Sequence, residues 1–246
     1  MKSTERHKLK ENDFARSVRQ AREAFETKGT DIARIGGVIV VAIVLVAGYG
    51  WWRQSRNAAG NAALADALAI SEAPVVAPAA PAPGSALPAQ QPGTYPTERA
   101  KLDAALPKFL DAADKHGSTE AGVAARYHAA GILAGLGRYA DAEKAYQTVV
   151  DKAGSSIYAR TARLGLADAQ VAQGKYDSAI SVYRELTTDA NSQLPVDGVL
   201  MQLGRACVKA GKKDDAQRAF NRIVDEFPTS SYAADAKREL DAARKS

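Results

Sequence analysis

Cysteine, histidine and aromatic residues are all scarce in this chain of 246 residues. The single cysteine, Cys207, excludes an intrachain disulfide. The three histidines, His7, His116 and His128, lack the spacing of metal ligands with one another or with the cysteine, so the sequence predicts no metal site. Phenylalanine, tryptophan and tyrosine together make up 7% of the chain while alanine is abundant, and this mixture favours closely packed helices.

The motifs of common enzyme and nucleic-acid-binding classes are also missing. The glycine-rich stretch GILAGLG (131–137) has neither the lysine nor the preceding strand of a phosphate-binding loop. Cys207 shares a helical face with Leu200 and Leu203, which is typical of a small buried residue rather than a nucleophile. The net charge of +5 does not form a basic stripe interleaved with aromatics, so we expect no nucleic-acid partner. Because the sequence contains no catalytic or cofactor-binding motif, we also expect no cofactor and no enzyme activity.

One long apolar run is present. Residues 35–52, IGGVIVVAIVLVAGYGWW, contain no charged side chain, and a helix of this length spans about 27 Å, close to the hydrocarbon thickness of a bilayer. Tyr49, Trp51 and Trp52 lie at its far end, where amphipathic rings prefer the membrane interface. The run is too long and too apolar for an ordinary core helix, and a cleaved signal has a shorter apolar region before its cleavage site. We therefore predict one uncleaved transmembrane helix.

Basic residues on the two sides of this run predict its orientation. Residues 1–34 hold nine lysines and arginines, whereas residues 53–72 hold only Arg53 and Arg56. Because basic flanks stay in the cytoplasm, the N-terminus is predicted to be cytoplasmic. In a bacterium the anchor would then lie in the inner membrane, and the C-terminal domain would lie in the periplasm.

The predicted cytoplasmic segment, residues 1–34, has the pattern of a short amphipathic helix. Phe14, Val18, Ala21 and Phe25 recur at helical spacing and share one face. Two interpretations remain open. The helix either lies on the membrane surface or docks a membrane partner through Phe14, Val18 and Phe25, or it is a solvated tail that only fixes the topology.

A helical segment and a proline-rich segment follow the span. Residues 53–72 are rich in alanine and predict a helix that continues from the span. Residues 73–96 contain seven of the ten prolines and no charge, which indicates an extended, polyproline-like linker with a reach of roughly 70 Å. The alternative is a surface insertion between the two helices of one hairpin.

A ten-residue pattern recurs at a fixed step of 37 residues. It occurs as GRYADAEKAY (137–146), GKYDSAISVY (174–183) and GKKDDAQRAF (211–220). Each copy begins with a glycine, which suits the left-handed residue at the end of a helix. Each copy also places an alanine four residues before an aromatic, so that both lie on one helical face. The pattern predicts stacked pairs of helices.

The same phase extends to both sides of the three copies. Thr119, Ser156 and Ser230 fall where helix N-caps are needed, and Phe109 lies 37 residues before Tyr146, in a helix that Pro107 is expected to kink or restart. Residues 97–246 are therefore predicted to form an all-α solenoid of helical hairpins with a C-terminal capping helix. The residues expected to face a concave, partner-binding wall are Tyr127, Leu164, Asp168, Met201, Arg205 and Lys209.

This repeat resembles the tetratricopeptide repeat, whose commonest signature is the alanine followed four residues later by an aromatic. The step of 37 residues is longer than the usual 34. This longer step and the stretch VDEFPTSSYAADAKREL (224–240) resemble periplasmic tetratricopeptide proteins of outer-membrane assembly and of the Tol–Pal cell-division system. The whole layout resembles the ancillary SecYEG translocon subunit family, on the cytosolic helix with KENDF, the span ending in GYGWWRQS, the alanine-rich helix and the repeats.

The resemblance to the translocon subunit family implies a single-span inner-membrane scaffold that links the Sec translocon to periplasmic chaperones or clients through protein–protein contacts. Two alternatives stay open: a scaffold of envelope assembly or division, and a holdase chaperone that uses its groove directly. The uncharged insertion at 73–96 departs from the translocon family pattern.

Overall fold

The structure is a computed structural model that describes residues 4–78, 90–154, 156–188 and 193–245. These residues form nine α-helices, and α1 is far longer than the others. The bounds are α1 Thr4–Ser71, α2 Glu98–Lys115, α3 Glu120–Gly135, α4 Tyr139–Lys152, α5 Ile157–Ala172, α6 Tyr176–Thr188, α7 Val196–Lys209, α8 Lys213–Glu226 and α9 Ala233–Lys245. The predicted all-α class is confirmed.

The chain divides into two compact units, residues 1–55 and residues 56–246. The first unit contains the apolar run, which belongs to a stretch of α1, Ala33–Ser71, that is long and apolar enough to cross a membrane. Val44 is 62% exposed and Leu45 is 67% exposed, so this run is not the core helix of a soluble domain. The rings of Tyr49 and Trp52 lie 5.8 Å apart at the end of the run.

The N-terminal part of α1 carries the predicted membrane-surface helix. α1 continues without a break from this part into the apolar run. Val18 is 50% exposed, while the side chains of Phe14 and Phe25 lie outside the part of the chain that is described. Whether this face lies on a membrane stays a prediction.

The second unit begins with the last turns of α1. Ala67 is completely buried, and Ala63 and Leu64 pack against the same core as α2 and α3. A side chain at Gly60 would meet the Thr119 hydroxyl oxygen at 2.9 Å, so this glycine lets α1 approach the turn before α3. The second unit therefore starts at residue 56, well before residue 97, where the sequence predicts the repeat domain to begin.

The described ends of the proline-rich segment are paired with each other. Val75 and Tyr95 form a parallel bridge. The Val76 amide donates to the Tyr95 carbonyl at 2.9 Å, and the Tyr95 amide donates to the Pro74 carbonyl at 3.0 Å. The described ends of the segment therefore lie side by side, and the polyproline-like linker over residues 73–96 stays a prediction.

The three repeated glycines end helices as predicted. Gly137, Gly174 and Gly211 have φ angles of 76°, 77° and 73°, which a residue with a Cβ adopts only with strain. At each turn the amide after the glycine donates to the carbonyl five residues earlier, at 2.8 Å for Arg138 and at 2.9 Å for Lys175 and Lys212. One closing bond therefore recurs at every repeat.

The helix starts also follow the sequence. Thr119 accepts from the Gly122 amide at 3.1 Å and Ser156 accepts from the Ala159 amide at 3.4 Å, which confirms two of the three predicted N-caps. The Ser230 hydroxyl oxygen instead accepts from the Tyr232 amide at 3.0 Å, before α9 begins at Ala233. α2 runs through Pro107 without interruption, so the expected restart does not occur.

The repeated alanine and aromatic positions form the core. Ala142, Ala179 and Ala216 are fully buried. The rings at 146, 183 and 220 are 7%, 1% and 0% exposed. One buried cluster runs from the end of α1 to α5 and a second runs from α5 to α9, so α5 contributes to both. Each hairpin therefore buries its apolar face against its neighbours, as expected for a solenoid.

Candidate functional groove

A concavity of about 460 Å³ opens between α5 and α7 in the second half of the repeat domain. We call it the α5–α7 groove. Its lining side chains come from α5, α6, α7 and α9, and most of them are accessible to solvent. They are Asp168, Val171, Tyr183, Gln202, Arg205, Val208, Lys209 and Glu239.

A hydrogen bond joins the floor of this groove to its acidic side. The Tyr183 hydroxyl donates to the Asp168 carboxylate at 2.5 Å. Asp168 remains accessible to solvent, but the concave wall removes part of its hydration. This desolvation raises the pKa of Asp168, and the bond from Tyr183 opposes the shift. Burial, followed by the nearby Asp168 charge, raises the pKa of Tyr183, so its hydroxyl stays a donor.

The basic side of the groove is formed by α7. Arg205 lies 3.5 Å from Glu239 of α9, and both side chains are partly exposed. Lys209 lies one turn further along α7 and makes no ion pair with any described residue. The described residues also give Asp168 no cationic partner, because its one hydrogen bond is the bond from Tyr183.

An aromatic cluster lies in the first half of the repeat domain. The Tyr127 ring is 5.9 Å from that of Tyr146 and 5.7 Å from that of Tyr158. His128 stacks on Phe109 at 5.2 Å, and burial lowers the pKa of His128. Burial also raises the pKa of Tyr146 to about 12, with smaller contributions from Tyr127 and Asp168.

The structure brings three of the six predicted wall residues together. Asp168, Arg205 and Lys209 line the α5–α7 groove. Tyr127 lies instead in the aromatic cluster, and Leu164 is half-buried against the second core.

The prediction for Met201 needs a correction. Met201 is 1% exposed and belongs to the second core, so it offers no contact surface to a partner. The repeat phase gave it the same register as Tyr127 and Leu164, but α7 is packed more tightly at this position and the side chain is enclosed.

Several groove residues escaped the sequence argument. Gln202 and Val208 lie three residues before and after Arg205, so the helical period could have identified them. Glu239 comes from the capping helix, and only the packing of α9 reveals it. Tyr183 was assigned to the core by its ring, and its hydroxyl reaches the groove as well.

The remaining reactive side chains are enclosed or isolated. Cys207 is completely buried, and burial raises the pKa of its thiol, which therefore stays protonated at neutral pH. Among the described residues, no three histidine, cysteine, aspartate or glutamate side chains are grouped to hold a metal ion.

Stacked hairpins with a side groove define the helical-repeat class of proteins. Tetratricopeptide repeat models match residues 98–157 and 133–195, and a second such model matches residues 199–230. Residues 98–230 therefore carry tetratricopeptide repeats, a fold whose general use is the binding of other proteins. No curated protein matches the chain by sequence.

Solved structures show the same fold. A tetratricopeptide repeat protein from Parabacteroides merdae is 16% identical with a TM-score of 0.50, and the match covers 60% of this chain and 56% of that one. The chain thus matches little more than half of that protein's length. A putative kinesin light chain with nearly identical repeats, from Podospora anserina, is 15% identical with a TM-score of 0.51, covering 59% of this chain and 78% of that one. At such identities the similarity concerns the fold alone.

Proposed function

We propose that this protein is a membrane-anchored scaffold whose repeat domain binds segments of other proteins in the bacterial periplasm. The α5–α7 groove carries the proposal, because it combines exposed apolar contacts with two charged groups that lack an ion-pair partner in the part of the chain that is described. A groove of this kind is suited to recognising a polypeptide segment, since apolar contacts supply affinity and placed polar groups supply orientation.

The membrane anchor supports the location. The apolar run of α1 is exposed along its length, and the basic residues on its N-terminal side favour a cytoplasmic N-terminus. The repeat domain would then extend from the outer surface of the inner membrane.

The proposed partners are the Sec translocon and the periplasmic chaperones that receive its clients. This part of the proposal is supported by the resemblance of the whole layout to the ancillary translocon subunit family. It also agrees with a groove that offers apolar and charged contacts to a bound polypeptide.

Site-specific crosslinking in intact cells tests the function. A photoreactive residue replaces Gln202 or Val208, both exposed in the groove, and a control replaces Lys144, an exposed residue of α4 that does not line the groove. We expect translocon or chaperone components to be crosslinked from the two groove positions and not from Lys144. Equal crosslinking from all three positions would contradict binding in the groove.

A second candidate is a scaffold of outer-membrane assembly or cell division. It is favoured by the resemblance of residues 224–240, which form the end of α8 and most of α9, to periplasmic proteins of those systems. In the same crosslinking experiment, recovery of outer-membrane assembly or division factors in place of translocon components would support this candidate. Recovery of unfolded client proteins alone would support a holdase.

A further inference from the structure

The α5–α7 groove contains two charges of opposite sign that have no ion-pair partner among the described residues. Asp168 has one hydrogen bond, from a neutral phenol, and Lys209 has no ion pair among the described residues. The other two charges of the groove, Arg205 and Glu239, lie 3.5 Å apart and pair with each other. The uncompensated anion belongs to α5 and the uncompensated cation belongs to α7.

The groove also offers an apolar contact from each of these two helices. Val171 of α5 is half-buried, and Val208 of α7 is 48% exposed although it is a large aliphatic residue. Both valines line the same concavity as the two charges. An apolar side chain of a bound segment would remove these valine surfaces from water.

The arrangement of charge disfavours segments of a single sign. A segment with only acidic side chains would meet Asp168 and Glu239, and a segment with only basic side chains would meet Arg205 and Lys209. Like charges placed together in a partly desolvated interface oppose binding, whereas complementary charges determine partner choice and register. A segment that carries both signs therefore complements the groove better than a segment of one sign.

We propose that the α5–α7 groove binds an extended segment of a partner protein in which a basic and an acidic side chain flank an apolar one. The basic side chain bonds to Asp168, the acidic side chain bonds to Lys209, and the apolar side chain contacts Val171 and Val208. Tyr183 holds the Asp168 carboxylate in a fixed position through its hydroxyl. This inference rests on the proposed scaffold function and adds the chemistry of the segment that is bound.

Labelled peptides test the charge requirement. The probes are fluorescein-labelled nonapeptides of glycine and serine with three central residues, Lys-Leu-Asp, Asp-Leu-Lys, Lys-Leu-Lys, Asp-Leu-Asp or Gln-Leu-Asn. Each is titrated with the full chain in nanodiscs of zwitterionic lipid, and binding is followed by fluorescence anisotropy. We expect one of the two mixed-charge orders to bind about tenfold more tightly than either single-sign peptide and the neutral peptide, which corresponds to two solvent-accessible complementary charge contacts.

Two isosteric variants assign each charge to its residue. Asp168→Asn keeps an oxygen that accepts from Tyr183, and it should remove the advantage of the preferred mixed-charge peptide over Asp-Leu-Asp while leaving its advantage over Lys-Leu-Lys. Lys209→Gln should have the opposite pattern. Asp225→Asn and Lys144→Gln remove exposed charges outside the groove and should change neither preference. Thermal unfolding of each variant shows whether it is folded.

The outcomes separate this inference from the scaffold function. Equal binding of all five peptides, tighter binding of a single-sign peptide, or loss of both preferences in the two control variants would overturn the charge requirement. Absence of binding to every peptide would overturn it as well. In each of these cases the crosslinking experiment at Gln202 and Val208 still decides independently whether the groove binds proteins.

Discussion

Tyr183 connects the core of the repeat domain with the candidate site. Its ring is 1% exposed and fills the space between hairpins at the repeated aromatic position. Its hydroxyl reaches the α5–α7 groove and donates to Asp168 at 2.5 Å. A buried phenol needs such a partner, because an unpaired hydroxyl in a core costs stability. The same residue therefore stabilises the fold and fixes the position of the acidic group.

Two substitutions of Tyr183 should separate the contribution of its buried ring from that of its hydroxyl hydrogen bond. We expect Tyr183→Ala to lower the free energy of unfolding by about 3–5 kcal/mol, as for other large aromatic truncations in a core. Tyr183→Phe keeps the ring and should cost only about 1 kcal/mol for the lost hydrogen bond. Chemical denaturation measures both, with Tyr139→Ala as an exposed control that should cost about 0.5 kcal/mol or less. A loss below about 1 kcal/mol for Tyr183→Ala would contradict the repeat phase.

Asp168 should oppose folding at neutral pH. Its pKa is raised in the folded chain because the concave wall desolvates it, so the ionised form is less favourable in the folded than in the unfolded state. Above the raised pKa, the ionised carboxylate therefore lowers the free energy of unfolding. This loss is recovered as the pH falls through the raised pKa toward the usual value of 3.8.

We expect Asp168→Asn to unfold at an equal or slightly higher temperature than the unchanged protein at pH 7, with the difference narrowing toward pH 4. Other carboxylates, such as Glu143, whose pKa is lowered by Lys175, are the same in both proteins and cancel in the comparison. Thermal unfolding at a series of pH values checks this. A clearly lower midpoint for the variant at pH 7 would mean that the bond from Tyr183 outweighs the desolvation.

At the scale of the elements, contact between α7 and α8 depends on a glycine. A Cβ at Gly204 would overlap the ring of Phe220, which is itself fully buried. The repeat uses alanine at the equivalent positions 130 and 167, and both alanines are buried. Small residues at this position therefore let the two helices of a hairpin approach, and the last hairpin requires the smallest.

Two glycine substitutions should have opposite effects. Gly204→Ala should lower the free energy of unfolding by about 1–3 kcal/mol, because the ring of Phe220 has no space to move into. Gly131→Ala, in the middle of α3, meets only the Tyr146 hydroxyl at 3.7 Å and should stabilise by up to about 1 kcal/mol through the helix preference of alanine. Urea unfolding compares them, and equal effects would contradict the close approach at Gly204.

At the scale of the whole molecule, the protein combines a helix long and apolar enough to cross a membrane with a repeat domain on one chain. α1 belongs to both units, since its exposed apolar run lies in the first and Ala67 is buried in the second. The described ends of the proline-rich segment pair with each other within the second unit.

Replacing Val41 and Leu45 by arginine should prevent membrane integration. Each arginine near the centre of a spanning helix costs about 2.5–3.5 kcal/mol, so the pair should release the protein into the soluble fraction on alkaline extraction. The matched control, Ala58→Arg with Ala62→Arg, changes exposed residues outside the run and should remain with the membrane. Retention of the Val41 and Leu45 double variant would contradict the span.

Mass spectrometry of the mature protein distinguishes an anchor from a cleaved signal. An uncleaved anchor predicts that peptides from residues 1–34 are present in the membrane-bound protein. Their complete absence, together with a new N-terminus after residue 52, would instead identify the apolar run as a signal sequence.

Much of the fold followed from local patterns in the sequence. The glycines at 137, 174 and 211, the caps at Thr119 and Ser156, and the alanine–aromatic pairs were all predicted, because each reflects a backbone or helical-face requirement that holds within a few residues. Asp168, Arg205 and Lys209 were placed on one surface by the repeat period alone.

The amino-acid sequence by itself determined the helices, their turns, the apolar run and the repeat, since all of these depend on interactions between residues close together in the chain. Only the tertiary structure decided that Met201 is enclosed, that Glu239 of the capping helix enters the groove, that Tyr183 bonds to Asp168, and that Val75 pairs with Tyr95. The physical reason is that each of these features depends on how closely particular helices or distant chain segments pack. The helical periodicity of a sequence predicts which residues share a face, but it does not predict the side-chain sizes that meet across such a contact.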